Sequence, residues 1–195
     1  RVFAMIRTQV GPFLAFAGGL LLTISTATTS PAQTANETLL SLGQEIWEFR
    51  LRQNPLFATS SGDRRFDDQL PTISEANSLT TQAVYRKFQE RLRQICEDDL
   101  SATHQINFEI LERFLATEIA ETEFGAHLIP ITNREGFHIS FPDLRRRMPL
   151  KTVQDFENYI ARLRGFKDYS AGHIQLMRQG LKLGLTLPSV VLQRF

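Results

Sequence analysis

The sequence predicts an all-α fold, the multi-helix N-terminal portion of a larger helical domain. Three observations carry that expectation. Apolar residues recur at three- and four-residue spacing along each long segment, capping residues stand in front of those segments, and strand-like runs are confined to one short stretch. With 42% hydrophobic residues and 15 phenylalanines in a chain of 195, there is enough apolar material to bury a core rather than remain disordered.

The first stretch differs from the remainder. Met5, Ile6 and Arg7 give a short basic start, FLAFAGGLLLTI from Phe13 to Ile24 is an apolar core, and Ser30, Pro31 and Ala32 offer small residues for cleavage. Residues 1–32 therefore read as a secretory signal peptide. The apolar run falls short of the roughly 20 residues a membrane span needs, so cleavage is expected to leave no stable membrane anchor. The mature protein is expected to be secreted or periplasmic.

From there, Asn36 is positioned to cap a first helix near residues 37–53, in which Leu39, Leu40, Ile46, Trp47 and Leu51 recur with helical spacing until Asn54-Pro55 stops it. Pro55 suits the first turn of a short helix through Ser60, and Gly62 supplies the terminating turn. Ser74 is the next cap, opening an amphipathic helix of about 24 residues whose apolar face holds Tyr85, Phe88, Leu92, Ile95 and Cys96. Ser101 opens another, with Ile106, Ile110, Leu111, Phe114, Leu115 and Ile119 as its stripe and Gly125 at its end. The short connection from Asp98 to Ser101 predicts that these two helices pack antiparallel.

Between Ala126 and Met148 the periodicity weakens, and LIPITNREGFHISF predicts a short β-hairpin near 128–141 around an Asn133 to Gly136 turn. Thr152 then caps a helix carrying Val153, Phe156, Tyr159, Ile160 and Leu163, with Asp155 completing a relative of the capping box. A last helix is expected from about Asp168 to Leu183, turning Ile174, Met177 and Leu181 inward, and a further one starts near Pro188-Ser189. Residues 33–195 thus read as one N-terminal helical part of a single larger domain, truncated at its C-terminus.

Charge excludes one class of partner. Lysine and arginine number 22 against 21 acids, and a nucleic-acid partner would call for a clear basic excess. Removing Arg1 and Arg7 with the leader lowers the 22 basic residues to 20 against the same 21 acids, a net charge of −1. Cys96 is the sole cysteine. It can form no internal disulfide and no thiolate zinc site, and its place among apolar positions predicts a buried small hydrophobe.

Candidate chemistry is sparse. A catalytic zinc is most compactly held by His-Glu-x-x-His, which places two imidazoles on one helical face, yet His104, His127, His138 and His173 are scattered and none is followed by glutamate. Glu135 and His138 have a spacing used by di-iron bundles, but Gly136 places them in a loop. Glu109, Glu112, Glu118, Glu121 and Glu123 crowd one helix and are expected on its solvated face. No serine elbow or phosphate loop occurs. Arg145, Arg146 and Arg147 form the densest positive cluster, a holder for an anionic substrate terminus or a solvated turn beside Asp143. In SSGDRRFDDQLP, Asp63, Asp67 and Asp68 lack the ligand pattern of a calcium loop. Arg64 and Arg65 offer them opposite charge, so the stretch reads as a structured connection pinned by Phe66 and Leu70.

Three stretches in order, NPLFATSSGDRRFDDQLP (54–71), FPDLRRRMPLKTVQDFENYIARL (141–163) and RQGLKLGLTLPSVVL (178–192), resemble the bacterial domain of unknown function 885 family. The resemblance covers nearly all of the mature chain. It implies an exported, all-helical zinc metallopeptidase of the gluzincin type acting on peptides, with a His-Glu-x-x-His helix and a later glutamate in a C-terminal half. Neither occurs in this sequence, so the resemblance implies zinc in the intact protein with ligands outside this chain, and carries no catalytic or metal residue onto it. A non-catalytic secreted helical protein that binds peptides is the rival expectation.

Overall fold

A computed structural model describes residues 31–132 and 134–192, and they are mostly helical: α1 is Pro31–Gln53, α2 Pro55–Ser60, α3 Glu75–Leu92, α4 Ala102–Glu123, α5 Phe137–Ser140, α6 Leu144–Arg147, α7 Val153–Lys182 and α8 Ser189–Leu192. No strand occurs among the described residues. The leader core over residues 13–24 lies outside them, while Pro31 and Ala32 already belong to the first turn of α1.

Local chemistry sets most of the boundaries. The Asn54 carboxamide accepts from the Phe57 amide at 3.0 Å with Pro55 just inside the first turn of α2. Ser74 accepts from the Asn77 amide at 3.1 Å to start α3. Thr152 and Asp155 form a reciprocal capping box at the start of α7. Gly125 closes α4 with a left-handed φ of 71°, a conformation open to glycine at no steric cost.

Two apolar cores result. The first joins Leu39, Leu42 and Ile46 of α1, Tyr85, Phe88 and Leu92 of α3, and Phe108, Leu115 and Ile119 of α4. The second gathers Phe141, Leu144, Met148 and Tyr169, with Leu70, Ile73 and Phe166 packed against them. α7 forms the spine of this second core and, at Gly180, runs against the Leu128 backbone that follows α4.

Several expectations are corrected. Asn36 lies inside α1, and its carboxamide instead accepts from the Ser101 amide at the start of α4, 65 residues away. α3 ends at Leu92, so Cys96 falls in the connection and is exposed rather than buried. The hairpin reduces to one isolated antiparallel bridge between Ile131 and Gly136, with Asn133 outside the described residues. Pro130 has no amide to give a ladder, and the chain turns helical again at Phe137.

The two helices expected over 152–183 are one continuous α7. An interior glycine costs a helix only about 1 kcal/mol, and the side chain of Leu70 lies against Gly165. The inward face of α7 is also different, holding Asp155, Arg162, Tyr169, Leu176 and Gly180. Val153, Phe156, Ile160, Leu163, Ile174 and Leu181 point to solvent. Leu40, Trp47, Ile106 and Ile110 likewise stand outside the first core.

Candidate functional site

The acidic loop is a latch onto α7. The Thr59 hydroxyl donates to Asp67 Oδ1 at 2.6 Å, and Arg64 Nε donates to Asp67 Oδ2 at 3.1 Å. Arg64 also bonds Asp155 Oδ1. Asp155 Oδ2 accepts from the Lys151 and Thr152 amides, both at 2.9 Å. From the α7 side, the guanidinium of Arg162 donates to Thr59 Oγ1 and to the carbonyls of Pro55, Phe66 and Gln69 at 2.7 to 3.0 Å. Asp67, Asp155 and Arg162 are all buried. Asp63 closes its own turn by accepting from the Arg65 amide at 3.0 Å, and Arg65 links onward to Glu48, while Asp68 stays exposed. The expected structured connection is present, and among its buried side-chain atoms only Arg162 Nη1 lacks a hydrogen-bond partner.

Other sequence candidates stand apart from one another. Arg145, Arg146 and Arg147 are exposed on α6, with Arg146 at 3.2 Å and Arg147 at 3.9 Å from Asp143. His104 faces Ser101 Oγ at 2.8 Å, Glu123 pairs with Arg86, and Glu135 and His138 are exposed. His173 is stacked flat on Phe137 with centroids 4.4 Å apart and meets the edge of Tyr169 at 4.7 Å. Among the described residues no group of three or more His, Cys, Asp or Glu side chains is placed to hold a metal ion, so these residues do not fit a zinc site.

What the fold does assemble is a polar cleft of about 400 Å³ where α1, α3 and α4 meet the loop before α3. α1 contributes Arg50 and Gln53, α3 contributes Asn77, Thr81 and Tyr85, α4 contributes Glu118 and Glu121, and His127 closes one end. The rim is braced by Thr81 donating to Gln53 Oε1 at 3.3 Å and by Asn77 donating to the Thr72 carbonyl at 3.0 Å. A second pocket of about 380 Å³ adjoins it, sharing Gln53, Asn54, Pro71 and Ile73 and adding Arg147 and Tyr169.

Charge in the cleft is held apart rather than neutralised. The Arg50 guanidinium lies over the Phe57 ring at 4.1 Å and the Phe114 ring at 4.9 Å, a geometry that fixes a cation by its attraction to aromatic faces. Neither the Arg50 nor the Glu118 side chain makes a hydrogen bond or an ion pair within 4 Å among the described residues. Burial, and then the like charge of Glu121, pushes the Glu118 carboxyl above the ordinary carboxylate range against an opposing pull from Arg50. Burial raises the Tyr85 phenol to about 12, with the charge of Glu118 adding to it. Burial also lowers the His127 imidazole, whose Nδ1 is enclosed without a partner. Perturbed titratable groups converging on a cleft mark a candidate site on physical grounds.

Sequence reasoning places Glu118 and Glu121 on the solvated face of their helix, names Tyr85 and His127 without joining them and passes over Arg50; Glu118 is instead half-buried, and a signal for it was present. Glu118 follows Phe114 by four positions and Leu115 by three, and Arg50 stands four after Ile46, so both lie on the apolar sides of their helices. A charge on a buried stripe was the readable clue.

A family model for a bacterial protein of unknown function (DUF885) matches residues 55–195. No curated protein and no solved structure matches the chain.

Proposed function

Because the chain belongs to the DUF885 family of bacterial proteins, we propose that it forms the N-terminal helical part of an exported, zinc-dependent, peptidase-like hydrolase acting on peptides. The observation that carries this reading is the polar cleft between α1, α3 and α4, a concave site with fixed charges of both signs and hydrogen-bonding groups suited to a peptide. This chain binds and orients substrate, and the zinc is held by residues other than the described ones. Export to the periplasm or the medium rests on the leader pattern of residues 1–32. Among the described residues no helix is long and apolar enough to cross a membrane.

A second reading, peptide binding without cleavage, is favoured by the same cleft, since it offers charge and hydrogen bonds with no serine or cysteine nucleophile along its helical walls beyond Ser78 on the rim. The test is peptide hydrolysis by the intact protein, expressed from its whole gene, before and after treatment with a zinc chelator. The expected result is turnover that chelation abolishes and added zinc restores. Turnover that survives chelation would exclude the zinc mechanism, and binding without turnover would leave the helical binding protein.

A further inference from the structure

Resting on the peptide reading above, we infer that the cleft between α1, α3 and α4 is a receptor for a primary ammonium group, with Glu118 and Glu121 as its acceptors and the peptide amino terminus as the natural source. Two carboxylates face one guanidinium there, so the cleft carries an excess of negative charge that a cation neutralises. Arg50 cannot supply that neutralisation itself. Its guanidinium is held over Phe57 and Phe114, and it reaches neither carboxylate to within an ion-pair distance. Glu118 is left half-buried without a donor, an arrangement that disfavours its charge. An ammonium brings three donors in a compact head and reverses that cost.

Tyr85 points to the amino terminus over other amines. It is only 4% exposed, it lines the cleft, and its hydroxyl has no hydrogen-bond partner among the described residues. A peptide's first residue presents an ammonium and, three bonds further on, a carbonyl oxygen. The carboxylates take the first and the Tyr85 hydroxyl donates to the second. A lysine side chain presents the ammonium alone.

The inference is tested by calorimetric titration of the intact protein with tetra-alanine, with N-acetyl tetra-alanine, and with an N-acetyl peptide containing one lysine, chelator being present so that binding rather than turnover is read. Charge-assisted hydrogen bonds of this kind shift affinity by about tenfold or more. Tetra-alanine is expected to bind at least about tenfold more tightly than its acetylated form, and Glu118→Gln is expected to erase the difference. Glu121→Gln, at an exposed position, is expected to reduce it without disturbing the fold. Lysine-peptide binding equal to that of tetra-alanine would keep the ammonium receptor but move its source to a side chain. Equal binding of free and acetylated peptides, a preference untouched by Glu118→Gln, or no peptide binding at all would overturn the inference. Hydrolysis of acetylated and free peptides at equal rates would sink the receptor and leave the peptidase standing. An amine preference without hydrolysis would do the reverse.

Discussion

Arg162 is fully buried at the point where α7 meets the acidic loop, and burial pulls its guanidinium below its ordinary pKa. Its hydrogen bonds satisfy three backbone carbonyls and the Thr59 hydroxyl. Arg162→Met would fill the volume but strand those acceptors, and an interaction of this kind is worth about 3 kcal/mol. Urea unfolding is expected to register that loss, and a change below about 1 kcal/mol would show that the latch is ornamental. His173 offers a pH-dependent counterpart. Burial holds its imidazole at about 4, against 6.5 for a free side chain, so between those values the unfolded chain takes up a proton that the folded one refuses. Stability is therefore complete above about pH 6.5 and declines as pH falls toward 4. His173→Phe preserves a ring against Phe137 and removes that proton. Its melting temperature is expected to fall less than that of the parent between pH 7 and pH 4.5.

At the scale of elements, α7 shows how packing overrides propensity. Replacing an interior glycine by alanine favours a helix by about 1 kcal/mol. At Gly172 the added methyl would overlap the Ile73 carbonyl oxygen, and the Ile73 Cβ would be only 2.9 Å away. Gly172→Ala is expected to destabilise by about 1–3 kcal/mol, the usual toll of overpacking. At Gly165 the nearest atom is Leu70 Cδ1 at 3.4 Å, an ordinary contact, so Gly165→Ala is expected to be neutral or stabilising. Thermal melts of the two variants should move in opposite directions. The close approach of the Ile73 backbone to Gly172 is invisible in the sequence, because it depends on a loop that lies far earlier in the chain.

Across the whole molecule, the surface keeps an apolar stripe. Val153, Phe156, Ile160 and Leu163 follow one another along α7 at helical spacing and are 76%, 50%, 43% and 45% exposed. A contiguous apolar surface of this kind marks an interaction site or a liability to associate. The protein is expected to bind a hydrophobic dye in its folded state, and Phe156→Lys with Ile160→Glu is expected to lower that fluorescence with little change in melting temperature. Unchanged fluorescence would place the dye elsewhere, the small apolar pocket around Met177, Leu181 and Leu185 being the next site to examine.

What the sequence determined by itself was local. Spacing at three and four residues and the caps at Ser74 and Thr152 specify helices, because those signals act within one or two turns of the backbone. Opposite charges two and three residues apart likewise made the Asp63 to Asp68 stretch readable as a self-braced loop. The tertiary structure alone decided which apolar stripe of α7 is buried, that Asn36 serves a helix other than its own, and that Arg50, Tyr85, Glu118 and His127 share a cleft. Each of those depends on contacts between residues far apart in the chain. Periodicity records that a helix has an apolar side, but which side meets a neighbour is settled by the packing of whole elements, and the burial that raises the Glu118 carboxyl exists only once they have met.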